Sequence, residues 1–276
     1  MKDSPQQPLV SLRGIKKAFP GVLANNDINL DIYPGEIHAL LGENGAGKST
    51  LMKILYGFYR ADEGRILVDG KEVRIKSPAD ARQLNIGMVF QVLNLIPALS
   101  VLENIALFLK DLPAVYNRSQ IRNRILEQSR QYGLEVNPDE LVSHISIGVQ
   151  QKVEILKLLL SDAKILILDE PTRVLAPHEV ESLFAVLSKL KQSGYAILLI
   201  THKLKEVLAC ADRITVLRAG GVAGSILQAE ADQEKLVQLM FDKQITVQIE
   251  QKEHLHAADT VLELISFCTH SEGTAV

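Results

Sequence analysis

Two cysteines are all that the 276 residues contain. Cys210 and Cys268 stand too far apart for a zinc-ligand spacing, and one pair makes no disulfide framework, so reduced, structural thiols are expected. Long hydrophobic runs are missing as well. The most apolar stretches, residues 164–168 and 196–200, fall far short of the roughly 20 residues a helix needs to cross a bilayer, and have the length of buried parallel strands. The first eight residues are polar, with Pro5 and Pro8 among them, and lack the apolar centre of a signal peptide. An excess of positive charge is also lacking. Lys and Arg number 30 against 33 Asp and Glu, a net charge of −3, which gives no support for nucleic-acid binding. These absences together predict a soluble, cytoplasmic chain. Hydrophobic residues at 47% and charged residues at 23% allow a sizeable core in one large domain or two small ones.

Polar and apolar residues alternate over 10–15 and 27–32, which predicts strands, and a mostly apolar strand is expected at 36–41 after the turn Tyr33-Pro34-Gly35. A helical pattern follows at 48–56. Residues 65–68 and 71–75 predict a hairpin around Asp69-Gly70, and 86–90 another strand. The character then becomes helical, with helices expected at 101–109, 119–132 and 149–160. Strands and helices alternate again at 164–168, 177–192, 196–200, 204–210 and 213–217. Such alternation predicts a parallel α/β sheet, here with a helical block inserted.

Between the strand 36–41 and the helix at 48 lies a complete G-x-x-x-x-G-K-[ST] motif, from Gly42 to Ser49. Small residues let successive backbone N–H groups close around a phosphate, and the following helix aims its N-terminal dipole at the anion. Gly42, Glu43, Asn44, Gly45, Ala46, Gly47, Lys48, Ser49 and Thr50 are therefore the expected nucleotide contacts. Lys48 is expected to reach the β- and γ-phosphates and Ser49 to hold Mg²⁺. About 120 residues on, the apolar run 164–168 ends in Asp169-Glu170. The carboxyl end of such a strand delivers both acids beside the phosphates. Asp169 is then a Mg²⁺ ligand, and Glu170 the base that polarises the attacking water.

Two nucleotide motifs separated by a helical insert resemble the ATP-binding cassettes of ABC transporters. Three further stretches sharpen the likeness: Gln91 after the strand 86–90, Ile145-Ser146-Ile147-Gly148-Val149-Gln150-Gln151 as a form of the cassette signature, and Thr201-His202 after the strand 196–200. The resemblance runs from about residue 8 to 241. It implies a P-loop (RecA-like) α/β core, an antiparallel β-subdomain over roughly 8–80 and a helical subdomain over about 92–160. It implies that Phe19 stacks on adenine, that Gln91 senses Mg²⁺ and the γ-phosphate, and that His202 positions the water with Glu170. Ser146, Gly148 and Gln150 would contact the ATP of a second cassette paired head to tail. Phe19-Pro20-Gly21-Val22, the stretches 35–52 and 150–157, and Thr201 to Val207 are similar to the N-terminal cassette of tandem importers for simple sugars and nucleosides, the carbohydrate uptake transporter 2 type. Such a chain would sit on the inner face of the membrane with separate permease subunits and, indirectly, a substrate-binding protein.

Some positions depart from the family pattern. Ile147 stands where many signatures carry Gly, Arg173 replaces a small residue after Glu170-Pro171-Thr172, and Ala176 takes the place of the usual aspartate three residues later. Residues 260–267 echo 8–15 at a shift of about 252. They predict the first strand of a truncated second cassette at 260–276 after a linker at 242–259, so the partner is either a second copy or the chain's own missing half. A soluble tandem-cassette ATPase, of the ribosome-associated kind, and an ATP sensor without turnover are the competing readings.

Overall fold

A computed structural model of the chain describes residues 7–109 and 117–241. They fall within one unit, Met1–Lys243; the linker expected at 242–259, the strand expected within 260–276 and Cys268 lie outside the described residues.

The first strands, β1 (Val10–Phe19) and β2 (Val22–Ile32), form a hairpin, and β4 (Glu63–Val68) and β5 (Lys71–Val73) extend it into an antiparallel sheet in the order β2-β1-β4-β5. Both β1 and β2 are longer than the alternation at 10–15 and 27–32 predicts. The register shifts repeatedly between Leu12 and Ala18, with Gly14 at a φ of 62°. Each bulge breaks the period-two pattern on which a sequence reading depends, while pairing continues past it.

The second sheet has the order β10-β9-β3-β8-β7-β6. It comprises β3 (Ile37–Leu41), β6 (Ile86–Val89), β7 (Ile165–Asp169), β8 (Ala196–Thr201), β9 (Arg213–Arg218) and β10 (Gly221–Leu227). All neighbours are parallel except the edge pair of β9 and β10. Every residue of β7 and β8 is buried, because helices or the other sheet cover both faces, and that explains their unbroken apolar sequence. The faces still divide by parity. Leu166, Leu168, Ile197 and Leu199 join the core shared with the helical block. Ile165, Ile167, Leu198 and Ile200 join the core beneath the antiparallel sheet and helix α1 (Lys48–Leu55).

The helical block lies between β6 and β7 and consists of α3 (Val101–Phe108), α4 (Arg118–Tyr132) and α5 (Ile147–Leu160). Helices α6 (Pro177–Gln192) and α7 (Leu204–Cys210) complete the alternation with the strands. Three elements were not anticipated. Helix α2 (Pro78–Gln83) is marked locally, since Ser77 caps it by accepting from Asp80 N and proline opens it. Strand β10 carries two glycines, and α8 (Gln233–Phe241) buries only Leu236 and Met240. These two support each other: Leu239 packs so closely on Gly224 that a Cβ there would lie 2.9 Å from its Cδ2. Cys210 is half-buried, and burial pushes its thiol up to about 12, consistent with an unreactive structural cysteine. No helix among the described residues is long and apolar enough to cross a membrane.

Candidate functional site

Strand β3 ends at Leu41 and α1 begins at Lys48, so the glycine-rich loop spans the gap at the carboxyl end of the sheet. Backbone crowding explains its glycines. A Cβ on Gly42 would lie 2.3 Å from Leu217 O, and one on Gly47, at a φ of 99°, would lie 2.2 Å from Ala24 O. Gly47→Ala therefore combines left-handed backbone strain of about 1–3 kcal/mol with a clash against main chain. We expect its melting temperature to fall by roughly 5 °C or more, read by calorimetry. Asn25 braces the same residue by donating from Nδ2 to Gly47 O at 3.1 Å. Its Oδ1 is buried with no hydrogen-bond partner among the described residues. No sequence signal pointed to Asn25, an ordinary strand residue whose role comes from the hairpin lying across the loop.

Lys48 is 6% exposed and donates to the carbonyls of Gly42, at 2.7 Å, and Glu43, at 2.8 Å. Burial lowers its pKa, and the acids Glu170, Asp169 and Glu43 oppose that shift. Ser49 Oγ donates to Asp169 Oδ1 at 3.3 Å. Burial raises the pKa of Asp169, the Ser49 hydrogen bond counteracts it, and Glu170 adds to it. A hydroxyl and a buried carboxylate thus meet beside the loop, a donor set that suits a hard divalent cation, whose charge would stabilise the carboxylate.

Sheet order assembles the remaining groups. Strands β6, β7 and β8 are adjacent and parallel, and Gln91, Glu170 and His202 each follow the carboxyl end of one of them. Glu170 Oε2 accepts from Gln91 Nε2 at 2.8 Å, and Oε1 lies 2.8 Å from His202 Nδ1. The carboxylate is thereby held on both oxygens, with His202 donating from Nδ1. Glu170 has a φ of 48°, a backbone strain common where a side chain must be aimed. Its N–H is secured by Ile200 O at 2.9 Å.

These residues face a cavity of about 680 Å³ lined by Phe19, Val22, Ala24, the loop from Asn44 to Thr50, Gln91, Glu170, Arg173 and His202. Phe19 is half-buried, with Tyr59 edge-on at 5.3 Å between centroids and the Lys17 ammonium 5.4 Å from its ring. Glu43 is exposed and Gly42 is buried behind the loop, and neither lines this cavity. Asp169 opens instead onto an adjoining hollow shared with Gln91 and Lys53.

The signature residues lie elsewhere. Ser146 caps α5, accepting from Val149 N at 3.3 Å. Gly148 packs against the Glu179 carboxylate and borders a separate pocket of about 230 Å³. Gln150 Nε2 turns back to Ile145 O at 3.2 Å. None of the three lines the cavity of the phosphate loop in this chain. Ala176 N–H is capped by Glu179 Oε2 at 2.9 Å, so the carboxylate three residues on takes up the donor at the start of α6.

Residues 25–173 match the protein family described as ABC transporter. A ribose import ATP-binding protein of Rubrobacter xylanophilus is 46% identical over 242 residues, covering 87% of this chain and 48% of that protein. A nucleoside import ATP-binding protein of Lactococcus lactis subsp. cremoris is 43% identical over 94% of this chain and 51% of its own length. The chain spans about half the length of these curated relatives. Among solved structures, the ADP conformation of an ATP-binding cassette of an ABC transporter superposes with a TM-score of 0.75 at 25% identity, over 85% of this chain and 98% of the other.

Proposed function

The chain belongs to the ABC transporter family of ATP-binding cassettes, and from that membership we propose that it is the ATP-hydrolysing subunit of an importer for a simple sugar or nucleoside. It would work on the cytoplasmic face of the membrane, against separate permease subunits that a substrate-binding protein supplies. The observation that carries the reading is the Glu170 carboxylate clamped between Gln91 and His202 over the cavity of the phosphate loop. The import functions in the relatives' names favour transport over a soluble tandem cassette.

Each residue has a distinct task in that chemistry. Phe19 offers its ring to the adenine. The loop and the first turn of α1, whose N–H groups have no carbonyl partner within the helix, take the phosphates. Lys48 exchanges the Gly42 and Glu43 carbonyls for phosphate oxygens of much higher charge. Ser49, Asp169 and Gln91 would hold Mg²⁺, which neutralises phosphate charge when bound. Glu170 accepts a proton as a water oxygen bonds to the γ-phosphorus and the bond to the ADP oxygen breaks. His202 donates to Glu170 from Nδ1, which keeps the carboxylate oriented during that transfer.

The remoteness of Ser146 and Gly148 from the cavity supports a paired arrangement, in which the start of α5 serves the nucleotide of a facing cassette. That cassette is a second copy or the remainder of a tandem chain. ATP turnover per chain is therefore expected to rise with protein concentration. A turnover independent of concentration would count against pairing of this chain with itself. Tight ATP binding without turnover would assign the partner role to a missing half or to the membrane subunits.

A further inference from the structure

We infer that Arg173 is a second phosphate-binding cation of this site, contacting the terminal phosphate of a nucleoside triphosphate held by the same chain; this rests on the ATP-site reading above. Arg173 N donates to Glu170 O at 3.1 Å. That bond closes a turn over 170–173 and brings the arginine back beside the residue proposed as the base, with Cα atoms under about 7 Å apart. The side chain lines the same cavity as Lys48, Glu170 and His202. Its guanidinium makes no hydrogen bond or ion pair among the described residues.

That freedom is informative because carboxylates are near. Glu170 has both oxygens occupied by Gln91 and His202, and Asp169 is engaged by Ser49. The acids are thus satisfied without the arginine. The other cation of the cavity, Lys48, is committed to loop carbonyls and held at the foot of the loop. A triphosphate entering here brings several negative charges to a site that already holds two carboxylates. The planar, permanently charged fork of arginine suits phosphate oxygens, and the turn anchors it on the Glu170 side, where the γ-phosphate must lie for attack. The diphosphate, lacking that group, would not reach it.

The test is equilibrium binding of magnesium adenylyl imidodiphosphate (AMPPNP), a non-hydrolysable triphosphate, and of magnesium ADP to the full chain, by calorimetry. Wild type is compared with Arg173→Gln and Arg173→Lys at concentrations low enough to keep the chain monomeric. Arg173→Gln preserves a polar side chain at an exposed position, and its melting curve is recorded alongside. Loss of one charge-assisted contact should weaken triphosphate binding by about tenfold or more, with ADP changed less than about twofold. Arg173→Lys should recover part of the loss, since charge remains and the fork does not. Unchanged triphosphate affinity in Arg173→Gln overturns the inference, and points to a contact across a cassette pair if turnover nonetheless falls. Equal loss of both nucleotides also overturns it. Wild type binding neither nucleotide would defeat the ATP-site reading itself, and the inference with it.

Discussion

Glu170→Gln is expected to slow ATP turnover by about 10²–10⁴-fold while ATP affinity stays within a few-fold of wild type. The substitution removes the basic carboxylate and little else. Glu170 sits between two donors, Gln91 Nε2 and His202 Nδ1, each at 2.8 Å. A glutamine supplies one acceptor and two donors, so one neighbour must change role. Gln91 accomplishes this by rotating its amide, and His202 by exchanging tautomer. The variant therefore keeps its fold and its cavity, and binds ATP without an acceptor for the water's proton. Single-turnover hydrolysis measures the chemical step, and a filter-binding titration measures affinity. Turnover at the wild-type rate would remove Glu170 from the role of base and leave His202 as the remaining candidate.

Lys48→Ala should act on binding instead. The ammonium is buried, and it satisfies the carbonyls of Gly42 and Glu43 at 2.7 and 2.8 Å. Its removal deletes the deepest positive charge at the site and leaves two loop carbonyls without that donor. Truncating one member of a buried, hydrogen-bonded charge pair costs about 2–5 kcal/mol, or roughly 30-fold to several thousand-fold in affinity. Because the loop is also anchored by Asn25 and the Gly47 backbone, the rest of the fold should survive. Calorimetric titration with ATP reads the loss, and a matching melting curve separates it from unfolding. An affinity within threefold of wild type would mean that the loop N–H groups carry the phosphates unaided. Arg173→Ala combined with Lys48→Ala would then show whether the second cation compensates.

The α/β alternation, the helical insert and the strand ends were legible because they follow from neighbours in the chain. Apolar runs such as 196–200 stay apolar wherever the sheet lies, and the helix 177–192 begins at its proline and ends where its pattern stops. Boundaries slipped where local rules were broken, as in β1, whose bulges hide its continuation to Phe19. Strand β10 and helix α8 had no strong local signal, since the strand carries two glycines and the helix buries only Leu236 and Met240.

The phosphate loop was similarly self-announcing, because glycine, lysine and serine at fixed spacing describe backbone shape and charge within eight residues. What the sequence by itself determined is therefore the loop, the paired acids at the end of an apolar strand, and the type of most elements, with α2, β10 and α8 the exceptions. Only the tertiary structure decided that Gln91, Glu170 and His202 form one hydrogen-bonded group, since this depends on β6, β7 and β8 lying side by side in parallel register. It alone decided that Asn25 braces Gly47 and that Arg173 faces the cavity. The physical reason is range: propensity and periodicity act over a few residues, whereas convergence of side chains from 91, 170 and 202 is set by which strands pair.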